Sequence, residues 1–409
     1  MAGQPNILWI VTTQWRAQAT GYAGDPNART PWLDGLASEA VDYTQAVTPH
    51  PLGPQARAAL LTGRLCPENG VKGYWDPLPA EARTVAHALA DRGYATAFFG
   101  KWHLAERDRT APLVGEAHAK MIVPPERRGG FEFWEGFESG FLLSDPWLHG
   151  TRLPRPRRFK GYQAEVLVER AGAWSREQGA RRDAGGKPYF CIVSLEAPHP
   201  PYQAPAPYVQ KMKPEEITLR ANVPAGGPVE HEARTELAGY YAHIEATDRA
   251  IGKLLAEVNL TETIVVFTSV HGDMHGSHGF FRKAWPHEES IRVPLLVRRG
   301  GGAGTSARQE DRSPVSLADL SHMAVAWAEG REWHCRRDSA LISMPAPTDI
   351  PLQCPVAWRG FRSARHKLVL NEDGSPWLYH DLERDPLELV NLAEDPARAG
   401  DIAELAKLL

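Results

Sequence analysis

Five short apolar runs punctuate the chain: residues 6–12 (NILWIVT), 94–99 (YATAFF), 189–195 (YFCIVSL), 263–269 (TIVVFTS) and 293–297 (VPLLV). They are rich in β-branched and aromatic residues and lack a polar alternation, the pattern of strands buried on both faces of a parallel sheet. Between them, residues 30–39, 84–92, 236–258 and 316–329 carry apolar positions at helical spacing, with Gly93 placed to cap the second of these. Strands alternating with helices predict a doubly wound α/β fold, a mixed sheet flanked by helices. Two stretches, 105–160 and 203–233, are rich in Pro, Gly and Arg with little period and read as irregular excursions that shape a pocket mouth. Gly300, Gly301 and Gly302 predict a flexible link. Past residue 345 the pattern shifts to short strands with an Asp373-Gly374 turn signal. The expected division is an α/β domain over 1–345 and a small C-terminal α+β unit with an antiparallel sheet over 346–409.

Composition narrows the functional classes. With 409 residues the chain exceeds one small core, and its net charge of −4 gives no basic surface for nucleic acid. No apolar run reaches the roughly 18–20 residues of a spanning helix, so no membrane partner is expected. Residues 1–14 lack a basic segment, a long apolar core and a cleavage site, so no signal peptide and a cytoplasmic location are expected. Cys66, Cys191, Cys335 and Cys354 are scattered, without zinc or disulfide spacing, and are expected as buried reduced thiols. A homo-oligomer is left open.

One stretch concentrates the chemistry. Residues 48–63 read TPHPLGPQARAALLTG: a Gly-Pro turn feeding a run of good helix formers. A loop entering a helix N-terminus aims N–H groups and partial positive charge at one spot, and Arg57 adds a full charge on the first turn. On these residues alone, an ordinary turn and helix with a solvated arginine explains the stretch as well.

The order LLTG, GKWHL, APHPP, HGD and IRVPLLVR, running from PNILWIVT to LVNLA, resembles the type I sulfatases of the alkaline phosphatase superfamily. In that family a Cys-x-Pro-x-Arg signature supplies a cysteine that matures to formylglycine, the nucleophile. Here the resemblance places Arg57 on the signature arginine, Gln55 on the proline and Gly53 on the cysteine. The family's calcium ligands fall on Thr13, Gln14 and Val270, with His271 following. Gly53 has no side chain to oxidise, and Thr13 and Val270 carry no carboxylate, so the resemblance implies a lost nucleophile and lost metal positions: no formylglycine and no calcium. The remaining positions match. Arg57 corresponds to the brace of the nucleophile, Lys101 to the lysine that grips the substrate anion, and His103 to the histidine beside the nucleophile. His199 corresponds to the histidine that contacts the anion or assists the leaving group, and His271 and Lys283 to the last His and Lys of the pocket.

Two lysines, one arginine and three histidines without the cation and acids form a cationic hollow, which seeks a sulfate, phosphate, phosphonate or carboxylate. The expected function is binding of such a small anion, as a pseudoenzyme or with a metal-independent reaction using His103, His199, His271 and Lys101. The alternatives are an active sulfuric- or phosphoric/phosphonic-ester hydrolase with a replacement nucleophile, for which Thr12, Thr13 and His50 are the candidates, and a non-catalytic scaffold using the loops at 105–160 and 203–233. His271, Asp273, His275 and His278 in HGDMHGSHG supply a density of ligands that suits zinc, although a hydrogen-bonding network explains them as well. Trp102, Trp134, Trp147 and Trp285 line either a sugar-binding mouth or the core.

Overall fold

A computed structural model describes residues 3–300 and 307–409; Gly301 and Gly302 of the expected link lie outside the described residues. The strands are β1 (Asn6–Thr12), β2 (Val41–Tyr43), β3 (Ala95–Lys101), β4 (Phe133–Phe137), β5 (Trp147–Gly150), β6 (Leu153–Arg158), β7 (Tyr189–Ser194), β8 (Thr263–Ser269), β9 (Leu295–Arg298), β10 (Gln309–Asp311), β11 (Ser339–Met344), β12 (Trp358–Ser363), β13 (His366–Asn371) and β14 (Pro376–Asp381). The first ten form one mixed sheet in the order β10-β2-β9-β8-β1-β7-β3-β4-β5-β6, and the last four form a separate antiparallel sheet.

β1 occupies the middle of the large sheet because every residue of it is buried. It runs parallel to β8 on one side and β7 on the other, so Ile10 faces Phe267 and Val193 in register. The two-residue period divides the strand between two cores. Ile7, Trp9 and Val11 pack with Ala58, Leu60 and Leu61 of the helix Gly53–Thr62 and with Leu320 and Met323 of the helix Asp319–Ala328. Leu8 and Ile10 pack with Leu167 of the helix Gln163–Asp183 and Ile251 of the helix Pro228–Ala256. The result is three layers, helices on both faces of a sheet.

Several expectations are corrected. The 105–160 stretch contains β4, β5 and β6, which extend the large sheet; β4 and β5 are short, and the arginines and prolines of β6 hide the strand period because this is the wet edge. The helix expected from 236 begins at Pro228, inside the stretch read as irregular, because Pro fits a helix's first position. The helix Gln163–Asp183 was not anticipated: its many charged residues dilute the apolar stripe. The antiparallel sheet begins at β11, ahead of residue 346. It docks through Ile342, Trp358 and Val369 onto Val47, Leu52 and Ile291. All four cysteines are free; Cys191 and Cys354 are buried, whereas Cys66 and Cys335 are half-buried. Among the described residues no helix is long and apolar enough to cross a membrane.

Candidate functional site

The four central parallel strands end on the same side, and the residues just past them meet there, as the topology of open α/β sheets dictates. Thr13 and Gln14 follow β1, Val270 and His271 follow β8, Glu196 and His199 follow β7, and His103 follows Lys101, the last residue of β3. The helix Gly53–Thr62 begins at the same place. A cavity of about 310 Å³ is lined there by Thr13, Gly53, Lys101, His103, His199, His271 and Lys283, together with Tyr74, Phe141 and Arg282.

Gly53 and His103 are packed against each other. A Cβ on Gly53 would lie 2.8 Å from His103 Nδ1, so the imidazole fills the space beside the bare Cα. Arg107 Nη1 is 2.8 Å from His103 Nε2. An arginine only donates, so Nε2 accepts and the neutral ring carries its proton on Nδ1. Burial, reinforced by Arg107, holds His103 well below the usual histidine range and therefore neutral. Its Nδ1–H is buried without a partner and belongs to a ring that lines the cavity.

The other two histidines are fixed in the opposite sense. His199 Nδ1 donates to the Pro200 carbonyl at 2.7 Å, and Lys283 Nζ donates to Nε2 at 3.0 Å. His271 Nδ1 donates to the Gly272 carbonyl at 2.9 Å, which leaves the Nε2 lone pair buried and unpartnered. Burial holds both well below the usual range.

The lysines are buried and paired. Lys101 Nζ lies 2.6 Å from Glu196 Oε1 and 4.2 Å from the centre of the Phe141 ring, which also stacks on His199 at 4.4 Å. Burial pushes Lys101 down to about 8 despite Glu196. Lys283 donates to the Gln14 amide oxygen, and burial pushes it down to about 7. The Gln14 amide nitrogen in turn donates to Asp273, which also accepts from Tyr202 Oη at 2.9 Å. Burial pushes Asp273 up, but His275, Arg282 and Lys283 prevail and hold it at about 2.

Arg57 lies behind the lining. It donates to the Lys101 carbonyl at 3.1 Å, Ser194 Oγ at 2.6 Å and Thr13 Oγ1 at 2.9 Å, tying three strand ends together. Its expected contact with a bound anion is replaced by this bracing. Val270 is buried in the core and offers no ligand atom. His50 is engaged by Ser343 O at 3.2 Å and the Cys66 N–H at 3.0 Å, and Thr12 Oγ1 by Thr268 O at 3.1 Å, and neither residue lines the cavity. Trp102 and Trp134 are core residues, and Trp147 and Trp285 do not line the cavity.

Of the quartet in HGDMHGSHG only Asp273 and His275 meet, with His275 Nε2 3.8 Å from Asp273 Oδ2. His271 lines the cavity, and Asp273 pairs with Gln14. His275 lies against Tyr240 and 3.4 Å from Glu236, and His278 faces Glu289 and Glu388 elsewhere. The expectation of a purely cationic hollow is also corrected: Glu196 and Asp273 supply buried negative charge, and Glu138 backs Arg107 at 3.4 Å. The sequence signal for Glu196 was its place between a buried strand and APHPP, where a lone carboxylate needs a partner.

A doubly wound sheet with paired lysines and one unpartnered N–H at its carboxyl ends defines the class of fold and the place of the site. Comparison with known proteins makes this specific. The sulfatase family model matches residues 5–330. An ulvan-active sulfatase from Formosa agariphila is 39% identical over 96% of this chain and 78% of its own. At the level of fold, a solved structure in complex with its substrate D-glucosamine-2-N,6-O-disulfate superposes with TM-score 0.78 at 20% identity, covering 99% of this chain and 97% of that one. The phosphonate monoester hydrolase of Agrobacterium radiobacter gives 0.75 at 22%, covering 99% and 94%. The chain belongs to the sulfatase family of the alkaline phosphatase superfamily.

Proposed function

We propose that this sulfatase-family chain binds one anionic ester group of a small molecule, such as a sulfated sugar, and does not cleave it by the formylglycine and calcium route. The observation that supports the reading is the His103 imidazole packed on Gly53, which sets an N–H donor beside the position that the resemblance assigns to the nucleophile. An anion in the cavity meets that N–H and the ammonium groups of Lys101 and Lys283, and its charge offsets the cost of burying them. Leu113, Val114, Ile350 and Pro351 form an apolar rim, which suits the body of a ligand carrying one charge rather than a polyanion.

The residues do not fit calcium. That ion needs several oxygen ligands; the Gln14 oxygen is taken by Lys283, Thr13 Oγ1 donates to the Leu195 carbonyl at 3.0 Å and accepts from Arg57, and Val270 has none. Among the described residues no three His, Cys, Asp or Glu ligand atoms gather in this cavity. The Lys283 ammonium supplies positive charge at the Gln14 oxygen instead.

The 39% identity to an ulvan-active sulfatase favours a second reading, hydrolysis by another route. In that case the unpartnered His271 Nε2 is the general base for an attacking water, with Lys101 and Lys283 stabilising the developing charge. Calorimetric titration with sulfate, phosphate and a monosulfated sugar, alongside turnover of an aryl sulfate with and without calcium, tests both. Saturable anion binding without turnover supports the first reading. Turnover lost in His271→Ala supports the second, and calcium-dependent turnover overturns both. Gly53→Cys is expected to stay inactive, because neither the metal ligands nor the signature proline is restored.

A further inference from the structure

His278 departs from the pocket loop at positive φ (55°) and turns toward the junction with the small sheet. There one ligand atom each of His278, Glu289 and Glu388 lies within 4.8 Å of the others. Glu289 and Glu388 are 1% and 4% exposed, whereas His278 is only half-buried and open to entry.

The unmet atoms at this junction are acceptors. Glu289 Oε1 accepts from Arg220 Nε at 3.0 Å and Asn222 Nδ2 at 2.8 Å, but Oε2 is buried with no partner. His380 donates from Nδ1 to the Val390 carbonyl at 3.0 Å, so its Nε2 carries a lone pair, and that atom faces Glu388 Oε1 at 4.0 Å. An imidazole lone pair opposite a carboxylate oxygen repels, and the Lys367 ammonium against Glu388 Oε1 offsets only part of that, while Glu388 Oε2 accepts from the Glu288 N–H at 2.8 Å. The His278 ring lies tilted against His287 at 4.5 Å, and its Nε2 is an acceptor that takes a hydrogen bond from Asn222 Nδ2 at 3.1 Å, a bond that an ion would replace. Native proteins leave few buried polar atoms unmet, and several in one place call for a bound species.

We infer that His278, Glu289 and Glu388 bind a divalent transition ion of the zinc type, joining the loop after β8 to the segment after β14. Imidazole nitrogen with two carboxylates is a zinc-type donor set, harder to reconcile with calcium, which prefers all-oxygen cages. Ligand atoms around tetrahedral zinc lie about 3.3 Å apart, so the three side chains close inward on binding. The cations facing the junction are already committed. Arg220 holds Glu289, and Arg362 and Arg292 hold Glu288. Lys367 lies against Glu388 Oε1 but also donates to the Pro286 carbonyl at 2.7 Å and approaches Glu288 at 3.6 Å, so it has other anchors once an ion takes that oxygen.

The test is zinc titration of the full chain after chelation, read by calorimetry and by metal content after gel filtration. One zinc per chain and a raised melting temperature are expected. His278→Ala should weaken binding at least about tenfold, as should His278→Gln, which keeps a hydrogen-bonding side chain should the alanine variant unfold. His271→Ala, in the other cavity, should leave zinc binding unchanged. No zinc uptake, or uptake that survives both His278 substitutions or is lost in His271→Ala, overturns the site.

Discussion

The cavity at the strand ends and the junction beside the small sheet are both buried, charged and histidine-rich, yet they differ in the atoms they leave unmet: the cavity holds an unmet donor as well as the His271 Nε2 lone pair. In the cavity the unmet group against Gly53 is a donor, His103 Nδ1–H, accompanied by two ammonium groups. At the junction the unmet atoms are acceptors, Glu289 Oε2 and His380 Nε2 among them. Counting charges does not separate the two, since each has acids and bases in near balance. The protonation state that each hydrogen bond imposes on the neighbouring histidine does separate them: the first asks for an anion, the second for a cation.

The largest effect that sharpens this contrast should come from Lys101→Met. It leaves Glu196 buried without its ammonium, and losing one partner of a buried pair costs about 3–5 kcal/mol. Urea unfolding should show that loss together with abolished anion binding; a change within about 1 kcal/mol would mean that Glu196 does not depend on Lys101. Gly53→Ala comes next. Its Cβ would meet His103 Nδ1 at 2.8 Å, so the ring must shift, at an overpacking cost of about 1–3 kcal/mol. Anion affinity should fall with it, whereas zinc uptake at the junction should not change.

A smaller and graded effect follows from pH. Burial sets Lys101 near 8, below its ordinary 10.5. Lys283, near 7, loses its charge first and Lys101 follows near 8, so affinity measured by titration should decline as pH rises from about 7 through 8. The sign for the ligand-free protein is the reverse: the folded state binds fewer protons than the unfolded one between about 8 and 10.5, so the Lys101 contribution to stability grows across that window. Affinity flat through pH 9 would remove Lys101 from the anion's contacts. The smallest effect is expected for His278→Ala in chelator, a change within about 1 kcal/mol because the residue is half-buried. A larger loss there would make His278 a structural residue and blur the difference between the two regions.

The sequence carried the central strands, since NILWIVT or TIVVFTS has no wet face and can only be buried between neighbours. It also carried the motif positions at their ends, because a parallel sheet delivers the residues after its strands to one edge. It did not carry β4 and β5, which are too short to show a period, or β6 and the helix Gln163–Asp183, where charged surface residues mask it. Arg57 shows the limit for the site: its place in the motif was evident, but that it braces three strand ends depends on Ser194 and Thr13, remote in sequence.

What the chain determined by itself is which residues reach the strand ends and which lack a side chain, as at Gly53, because local pattern and covalent chemistry suffice for both. Only the tertiary structure decided which nitrogen of each histidine bears the proton, that Glu196 and Asp273 balance the lysines, and that His278 leaves its motif for Glu289 and Glu388. Those are relations between distant segments, set by hydrogen-bond geometry and burial, and no one-dimensional pattern encodes them.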